Sequence, residues 1–307
     1  MKISVAICTW NRSQLLQRTL QRLCDLEVDA RYTWELIVVD NNSTDNTAQV
    51  IDRFVDALPI RAVHESKQGH SRSRNRAIAE ATGDYIVWTD NDVLVCTRWL
   101  SAYFDAFTAE PDLAFFGGVI EPVFDPPGRP DWLAATWEKC KPVYAARDLG
   151  PMPVELNESR LPYGANFAIR SDIQRKHLFD PSLGRVSSAM MGEDETQVLR
   201  QIARSCGKGR WVPDAKVQHI VPADRATERY VRSYFIGQGM ANVALNKSCK
   251  TRVAAFLDSV WQSLLYRIKR NCTDPDEWVS HLICSGLSWG EYFALTARRR
   301  NGKRESV

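Results

Sequence analysis

The 307 residues of this chain are 44% hydrophobic and 25% charged, enough for a substantial core in one large domain or two. Forty basic side chains against 37 acidic ones leave a formal charge of +3, which argues against nucleic acid as a partner and makes any basic site a local one. No apolar run reaches transmembrane length, the opening MKISVAICTW enters a strand pattern without a leader, and the eight cysteines form no C-x-x-C pair, so a cytoplasmic protein with reduced thiols is expected.

In chain order, residues 3–9 read as a first strand, Asn11 to Ser13 as a polar turn, and Leu15, Leu16, Leu20 and Leu23 as the apolar face of a helix. Residues 35–40 (ELIVVD) are a second buried strand ending in an acid, followed by a turn and a helix carrying Val50, Ile51, Phe54 and Val55. The unit repeats with a strand at 60–64 and a helix at 71–82, for which Gly83 is the expected C-cap. Residues 84–92 (DYIVWTDND) then form the stretch around which the chain is organised, a continuous apolar strand that ends in Asp90-Asn91-Asp92. In extended backbone, residues i and i+2 project to one side, so Asp90 and Asp92 can face one site, where a bound cation would relieve their repulsion. Oxygen ligands of this kind suit Mg²⁺ or Mn²⁺. An Asx turn leading into a helix near Thr97 accounts for the same residues.

Alternating strands and helices with short connections imply an α/β fold, with a parallel sheet covered on both faces and ligands at the carboxyl ends of its strands. Thr9-Trp10-Asn11-Arg12, Asp40-Asn41-Asn42 and Asp90-Asn91-Asp92 all lie at such ends. Neither G-x-G-x-x-G after the first strand nor G-x-x-x-x-G-K-[ST] anywhere is present, which removes the dinucleotide and P-loop readings. Arg72, Arg74 and Arg76 in the first turns of a helix could meet an anion or decorate a solvated face.

Those three strand-end clusters, with Gly69-x-Ser71-x-Ser73-Arg74-Asn75, resemble the ordered motifs of family 2 glycosyltransferases. The resemblance covers roughly residues 1–220 and departs from the common pattern at Trp10, where Tyr or Phe is usual, and at Ser73, where Ala is frequent. It implies a GT-A fold, a Rossmann-like, mostly parallel sheet flanked by helices, and an inverting, metal-dependent enzyme using a nucleoside diphosphate sugar, usually a UDP-sugar. By that similarity Thr9 and Asp40 would contact the base or ribose, and Trp10, Asn11, Arg12, Asn42 and Asn91 would belong to the same donor-binding set. Arg74 would meet the nucleotide, Asp90 the ribose or sugar, and Asp92 the Mn²⁺ or Mg²⁺.

Further along, residues 97–109 read as an amphipathic helix and 113–124 as a strand interrupted at Gly117-Gly118, where a ligand or backbone approaches closely. Residues 125–153, rich in proline with Trp132, Trp137 and Tyr144, form a long excursion whose aromatics either bind sugar or pin the loop to the core. Gly164-Ala165-Asn166 opens a strand to residue 170, and the family resemblance sets it beside the donor sugar. Glu193 and Asp194 open a helix carrying Val198, Leu199 and Ile202; capping explains acids there, while the resemblance identifies a Glu-Asp motif whose aspartate, Asp194, is the catalytic base. A strand over 211–219 ends in His219, which in the GT-A pattern completes the metal site.

From Arg225 the pattern is helical, with Arg225 and Arg229 one turn apart, then helices over 252–269 and 277–297 and a basic end, Arg298-Arg299-Arg300 and Lys303-Arg304. Aromatic and apolar helices beside basic residues suit the inner face of a membrane with lipid-linked acceptors, and packing on the catalytic domain or a second subunit explains the same pattern. The expected organisation is a GT-A domain over 1–220, with a nucleotide half (1–95) and an acceptor half (96–220), followed by a helical region over 221–307. The partners expected are the donor and a saccharide or lipid-linked saccharide hydroxyl. A nucleotidyl or phosphoryl transferase with the same acids, and a silent nucleotide-sugar scaffold, are the alternatives.

Overall fold

The computed structural model describes residues 1–181, 194–205, 207–245 and 247–302, with side chains described as far as residue 297. Strands β1 (Lys2–Thr9), β2 (Thr33–Asp40), β3 (Ile60–His64) and β4 (Tyr85–Asp90) alternate with helices α1 (Ser13–Leu23), α2 (Thr47–Asp52) and α3 (His70–Glu80). Then come β5 (Val93–Val95), α4 (Trp99–Ala109) and β6 (Phe115–Phe124), the short α5 (Asp131–Ala135) and α6 (Trp137–Cys140), β7 (Glu155–Leu156), β8 (Asn166–Arg170) and α7 (Ser171–Gln174). Helix α8 (Asp194–Ser205), β9 (Gly209–Val221), α9 (Glu228–Ala244), α10 (Arg252–Lys269) and α11 (Pro275–Gly302) complete the order.

The sheet runs β3-β2-β1-β4-β8-β6-β9-β5, with β7 pairing to β9. Its first four strands are parallel, and the register sets Thr9 beside Asp40 and Cys8 beside Asp90. Strand β8 pairs antiparallel with both β4 and β6, and β9 pairs antiparallel with β5 and β7. The sheet is thus parallel in its first four strands and joined antiparallel beyond them, where pairing needs no crossover helix.

Each parallel strand is buried on both faces, which is why its sequence is continuously apolar. Ile3, Val5, Ile7, Val38 and Val87 pack with α1, α2 and α4, whereas Ala6, Ile37, Val39, Ile86 and Trp88 pack with α3, α7 and α8. Gly83 does not cap α3: Ala81 already leaves the helix in extended backbone (ψ 130°). A Cβ on Gly83 would lie 2.6 Å from the backbone nitrogen of Ser4, so close approach to β1 requires glycine there. Likewise β6 runs unbroken through Gly117-Gly118, and a Cβ on Gly118 would meet the Ala215 carbonyl oxygen at 2.1 Å.

The described residues divide into two compact units: 1–123, 145–181, 194–205 and 207–220 in the first, and 124–144, 221–245 and 247–302 in the second. In the second, Leu133, Cys140, Tyr144, Val231, Trp278 and Leu282 form a core of their own. Trp137 stacks on Tyr144 at 5.9 Å, and Trp132 lies 5.5 Å from Trp278, so these aromatics pin the excursion to a core. The cysteines among the described residues are free thiols. No helix among those residues is long and apolar enough to cross a membrane.

Candidate active site

The carboxyl ends of β1, β2 and β4 lie side by side in register, and the turns leaving them are tied together. Asn11 and Asn42 both adopt left-handed backbone, with φ of 50° and 62°, a conformation asparagine tolerates better than most residues. The Asn11 amide donates to Ser43 Oγ at 2.9 Å, Asn11 Oδ1 accepts from the Thr44 amide at 2.7 Å, and Asp40 Oδ1 accepts from the Ser43 amide at 3.0 Å. Asn91 Nδ2 donates to Thr9 Oγ1 at 2.8 Å, joining the third strand end to the first. Trp10 projects from this edge, 41% exposed, as a flat apolar surface beside the polar turns.

Asp92 follows β4 and is buried, with one carboxylate oxygen 3.7 Å from the Arg12 guanidinium and the other 3.6 Å from His219 Nε2. Strand pairing makes this meeting possible, because Val93 of β5 lies opposite His219 of β9. Asp90, two residues earlier, has its carboxyl pushed up from the usual range by burial and then by the Asp92 charge, against the opposing pull of Arg74. Asp92 and His219 carry the kinds of ligand atom a hard divalent cation takes, and the raised Asp90 carboxyl reflects burial first and the neighbouring Asp92 charge second.

A second cluster lies around Arg74. Its guanidinium is 2% exposed, set 5.0 Å over Phe179 and 5.8 Å over Trp88, and paired with Glu195 and, at 3.6 Å, with Asp194 Oδ2. Burial works against its charge, while Glu195, Asp194 and Asp90 favour it. The same Asp194 oxygen accepts from Ser71 Oγ at 2.8 Å and lies 3.9 Å from His70 Nδ1. Asp194 Oδ1 is buried and has no hydrogen-bond partner among the described residues. Beneath the site, burial pushes the Cys8 thiol up to about 12, so it remains a neutral, inert wall.

The two clusters are electrostatically joined through Asp90, whose neighbours include Asp92, Arg74, Glu195 and His219. Thr9, Trp10, Asn11, Arg12, Asp40, Asn42, Asp90, Asn91, Asp92 and His219 thus share one sheet edge, with Arg74 and Asp194 in the neighbouring cluster. Arg74 differs from its sequence assignment to the nucleotide, because its charge is engaged by two carboxylates. Asn166 departs in a similar way: it is fully buried, its oxygen accepts from Trp99 and Tyr103, and its nitrogen donates to the Val119 and Ala215 carbonyls. All four of its bonds are spent inside the fold, so the side chain has none left for a sugar. Ala165 is buried beside it, Gly164 lies against the Glu195 carboxylate, and Glu193 falls outside the described residues.

Sequence reasoning missed His70 and Glu195 as partners in the Asp194 cluster, and the only local signal was adjacency to a motif. His70, Asp194 and Glu195 also form the metal-type donor group among the described residues whose ligand atoms all lie within 4.8 Å of one another. Arg74 supplies positive charge to this group, as Arg12 does to Asp92.

The sequence profile of Glycosyl transferase family 2 matches residues 4–151. Over 261 residues the chain is 24% identical to the succinoglycan biosynthesis protein ExoM of Rhizobium meliloti (strain 1021), covering 83% of this chain and 79% of that protein. Among solved structures it is similar to S. aureus TarS 1-349 in complex with UDP-GlcNAc, with a TM-score of 0.54 at 14% identity over 98% of this chain and 92% of that one. It is also similar to the mannosyltransferase PcManGT from Pyrobaculum calidifontis in complex with GDP-Man and Mn²⁺, with a TM-score of 0.53 at 18% identity over 94% and 86%. At such identities the two structures speak for the fold alone, which is GT-A.

Proposed function

From the premise that this chain belongs to the family 2 glycosyltransferases, we propose that it moves a sugar from a UDP-sugar to an acceptor hydroxyl, inverting the anomeric carbon. The acceptor is a saccharide or lipid-linked saccharide, and the setting is synthesis of a polysaccharide or other glycoconjugate, a reading supported by the likeness to a succinoglycan biosynthesis protein. The enzyme works in the cytoplasm, with residues 1–220 as the catalytic domain, divided into nucleotide (1–95) and acceptor (96–220) halves, and 221–307 as its helical extension.

The observation that carries this reading is the state of Asp194. One of its oxygens is held by Ser71 and Arg74, while the other is buried without a protein partner among the described residues. A carboxylate fixed through one oxygen and unpartnered at the other is a positioned base. As the acceptor oxygen bonds to the anomeric carbon, its proton passes to Asp194 Oδ1. The bond from that carbon to the diphosphate breaks, and its electron pair leaves with the nucleoside diphosphate. Thr9 and Asp40 bind the base or ribose, with Trp10, Asn11, Arg12, Asn42 and Asn91 in the same donor-binding set along the sheet edge, and Asp90 faces the ribose or sugar. Asp92 and His219 would hold Mn²⁺ or Mg²⁺, which when bound would supply charge compensation for the leaving diphosphate. Arg74 holds Asp194 and Glu195 in place, a role supported by its burial between them.

The test is a panel of nucleotide sugars with Mn²⁺ or Mg²⁺ and a saccharide acceptor library, read as release of nucleoside diphosphate and formation of a glycosidic bond. Asp194→Asn is expected to lower turnover by at least about 10²-fold with nucleotide affinity within about twofold of the parent. Release of nucleoside monophosphate would point to nucleotidyl transfer, and full turnover by the variant would remove Asp194 from the base role.

A further inference from the structure

Helix α10 is amphipathic in the reverse sense to an ordinary surface helix. The side it buries is mostly small and polar, with Tyr266 the aromatic exception, packed near Trp278. Ala255 and Ser259 are buried, Ser263 Oγ lies 2.8 Å from Ser285 Oγ, and Gln262 Oε1 lies 2.8 Å from His281 Nδ1 on α11. Asp258 also turns inward, bonded to Ser288 and to Lys250. The side it exposes carries Val253, Leu257, Val260, Trp261, Leu264 and Ile268, with Phe256 at its margin. Val253 is 62% exposed, Leu257 61% and Trp261 57%. At 100° per residue these positions fill one arc of about 140° along the whole helix, and Arg267 is the one charge within it.

A contiguous apolar face of this length marks an interaction surface. The flanking charge selects its occupant. Residues 247–270 contain six basic side chains, Lys247, Lys250, Arg252, Arg267, Lys269 and Arg270, against the single acid Asp258, which faces inward. Lys247, Arg252 and Arg267 make no ion pair among the described residues, whereas Lys250, Lys269 and Arg270 are paired within the unit. An isologous contact between two copies would bring unpaired positive charges together at both ends of the stripe. An anionic lipid surface instead matches the charge, and Trp261 and Phe256 suit the headgroup boundary.

We propose that the outer face of α10 is a membrane-docking surface that lies in the interfacial plane of an anionic bilayer. Its apolar arc enters the acyl boundary, and Lys247, Arg252 and Arg267 lie among the anionic headgroups. The inference concerns α10 itself and is independent of the activity proposed above.

The full chain should float with vesicles of phosphatidylcholine and phosphatidylglycerol, less so at high salt, and weakly or not at all with phosphatidylcholine alone. Leu257→Glu with Trp261→Glu, at two exposed positions, should reduce partitioning by at least about tenfold while leaving the melting temperature unchanged. Arg267→Glu, which leaves every apolar contact in place, should weaken binding to the anionic vesicles alone. Absence of vesicle binding by the parent chain, or equal binding by the folded double variant, would overturn the proposal. So would light scattering that shows a dimer dissolved by the double variant, which would assign the face to a second copy.

Discussion

Asp92 is held between a guanidinium and an imidazole, and its ion pair with Arg12 fills with a cationic side chain the region where a divalent ion would compete. Exchange of one positive partner for another would require no new buried charge, so the site would be stable with and without an ion. Asp92→Ala should therefore weaken Mn²⁺-dependent UDP binding by at least about tenfold in calorimetry and leave metal-free binding little changed. Equal Mn²⁺-dependent affinity in parent and variant would remove Asp92 from the metal site. The identity of these residues was legible because a strand ending in Asp90-Asn91-Asp92 is a local pattern. Their partners were not: Arg74 with Glu195 and Ser71 with Asp194 are separated by more than a hundred residues, and only folding brings them within bonding distance.

At the scale of elements, a small polar network ties the start of β2 to β1 and to the turn between α3 and β4. Glu35 Oε1 accepts from Ser4 Oγ at 2.7 Å and from the Thr82 amide and hydroxyl at 2.8 Å each. Its other oxygen faces Lys2 at 3.3 Å and Arg61 at 3.5 Å. Burial alone would push this carboxyl up, but the bonds from Ser4, Thr82 and Lys2 more than offset it and bring the value from an ordinary 4.5 down to about 2. A carboxyl depressed by folding stabilises the native state above its unfolded value, and that contribution is lost as pH falls through the folded one. Stability should thus decline between about pH 4.5 and 2, and Glu35→Ala should flatten this part of the profile. At neutral pH the variant should cost about 2 kcal/mol in denaturant unfolding, because Ser4 and Thr82 lose their acceptor. An unchanged acid limb would mean that other carboxylates govern it. Gly83 belongs to the same corner and shows why its role was misread: glycine after a helix signals a cap in sequence, while the clash with β1 that requires it is tertiary.

For the whole molecule, the sheet edge and the Arg74 cluster lie within the first compact unit, and α10 lies within the second. A ligand that binds only the folded state raises its stability by mass action. UDP with Mn²⁺ at about a hundred times its dissociation constant should raise the melting temperature by a few degrees, on the order of 5 °C, and UDP alone by less. Equal shifts with and without the ion would argue against a shared metal and nucleotide site. By itself the sequence determined the alternation of strands and helices, the parallel half of the sheet, the polar strand ends and the helical character beyond residue 225, because hydrophobic periodicity and strand-end chemistry act over neighbouring residues. Only the tertiary structure decided that β8, β6 and β9 join antiparallel, that Asn166 is spent inside the fold, that Arg74 holds two acids, and that α10 faces outward with its apolar side. Each of these depends on partners distant in the chain, whose meeting is selected by packing and by satisfaction of buried polar groups rather than by local preference.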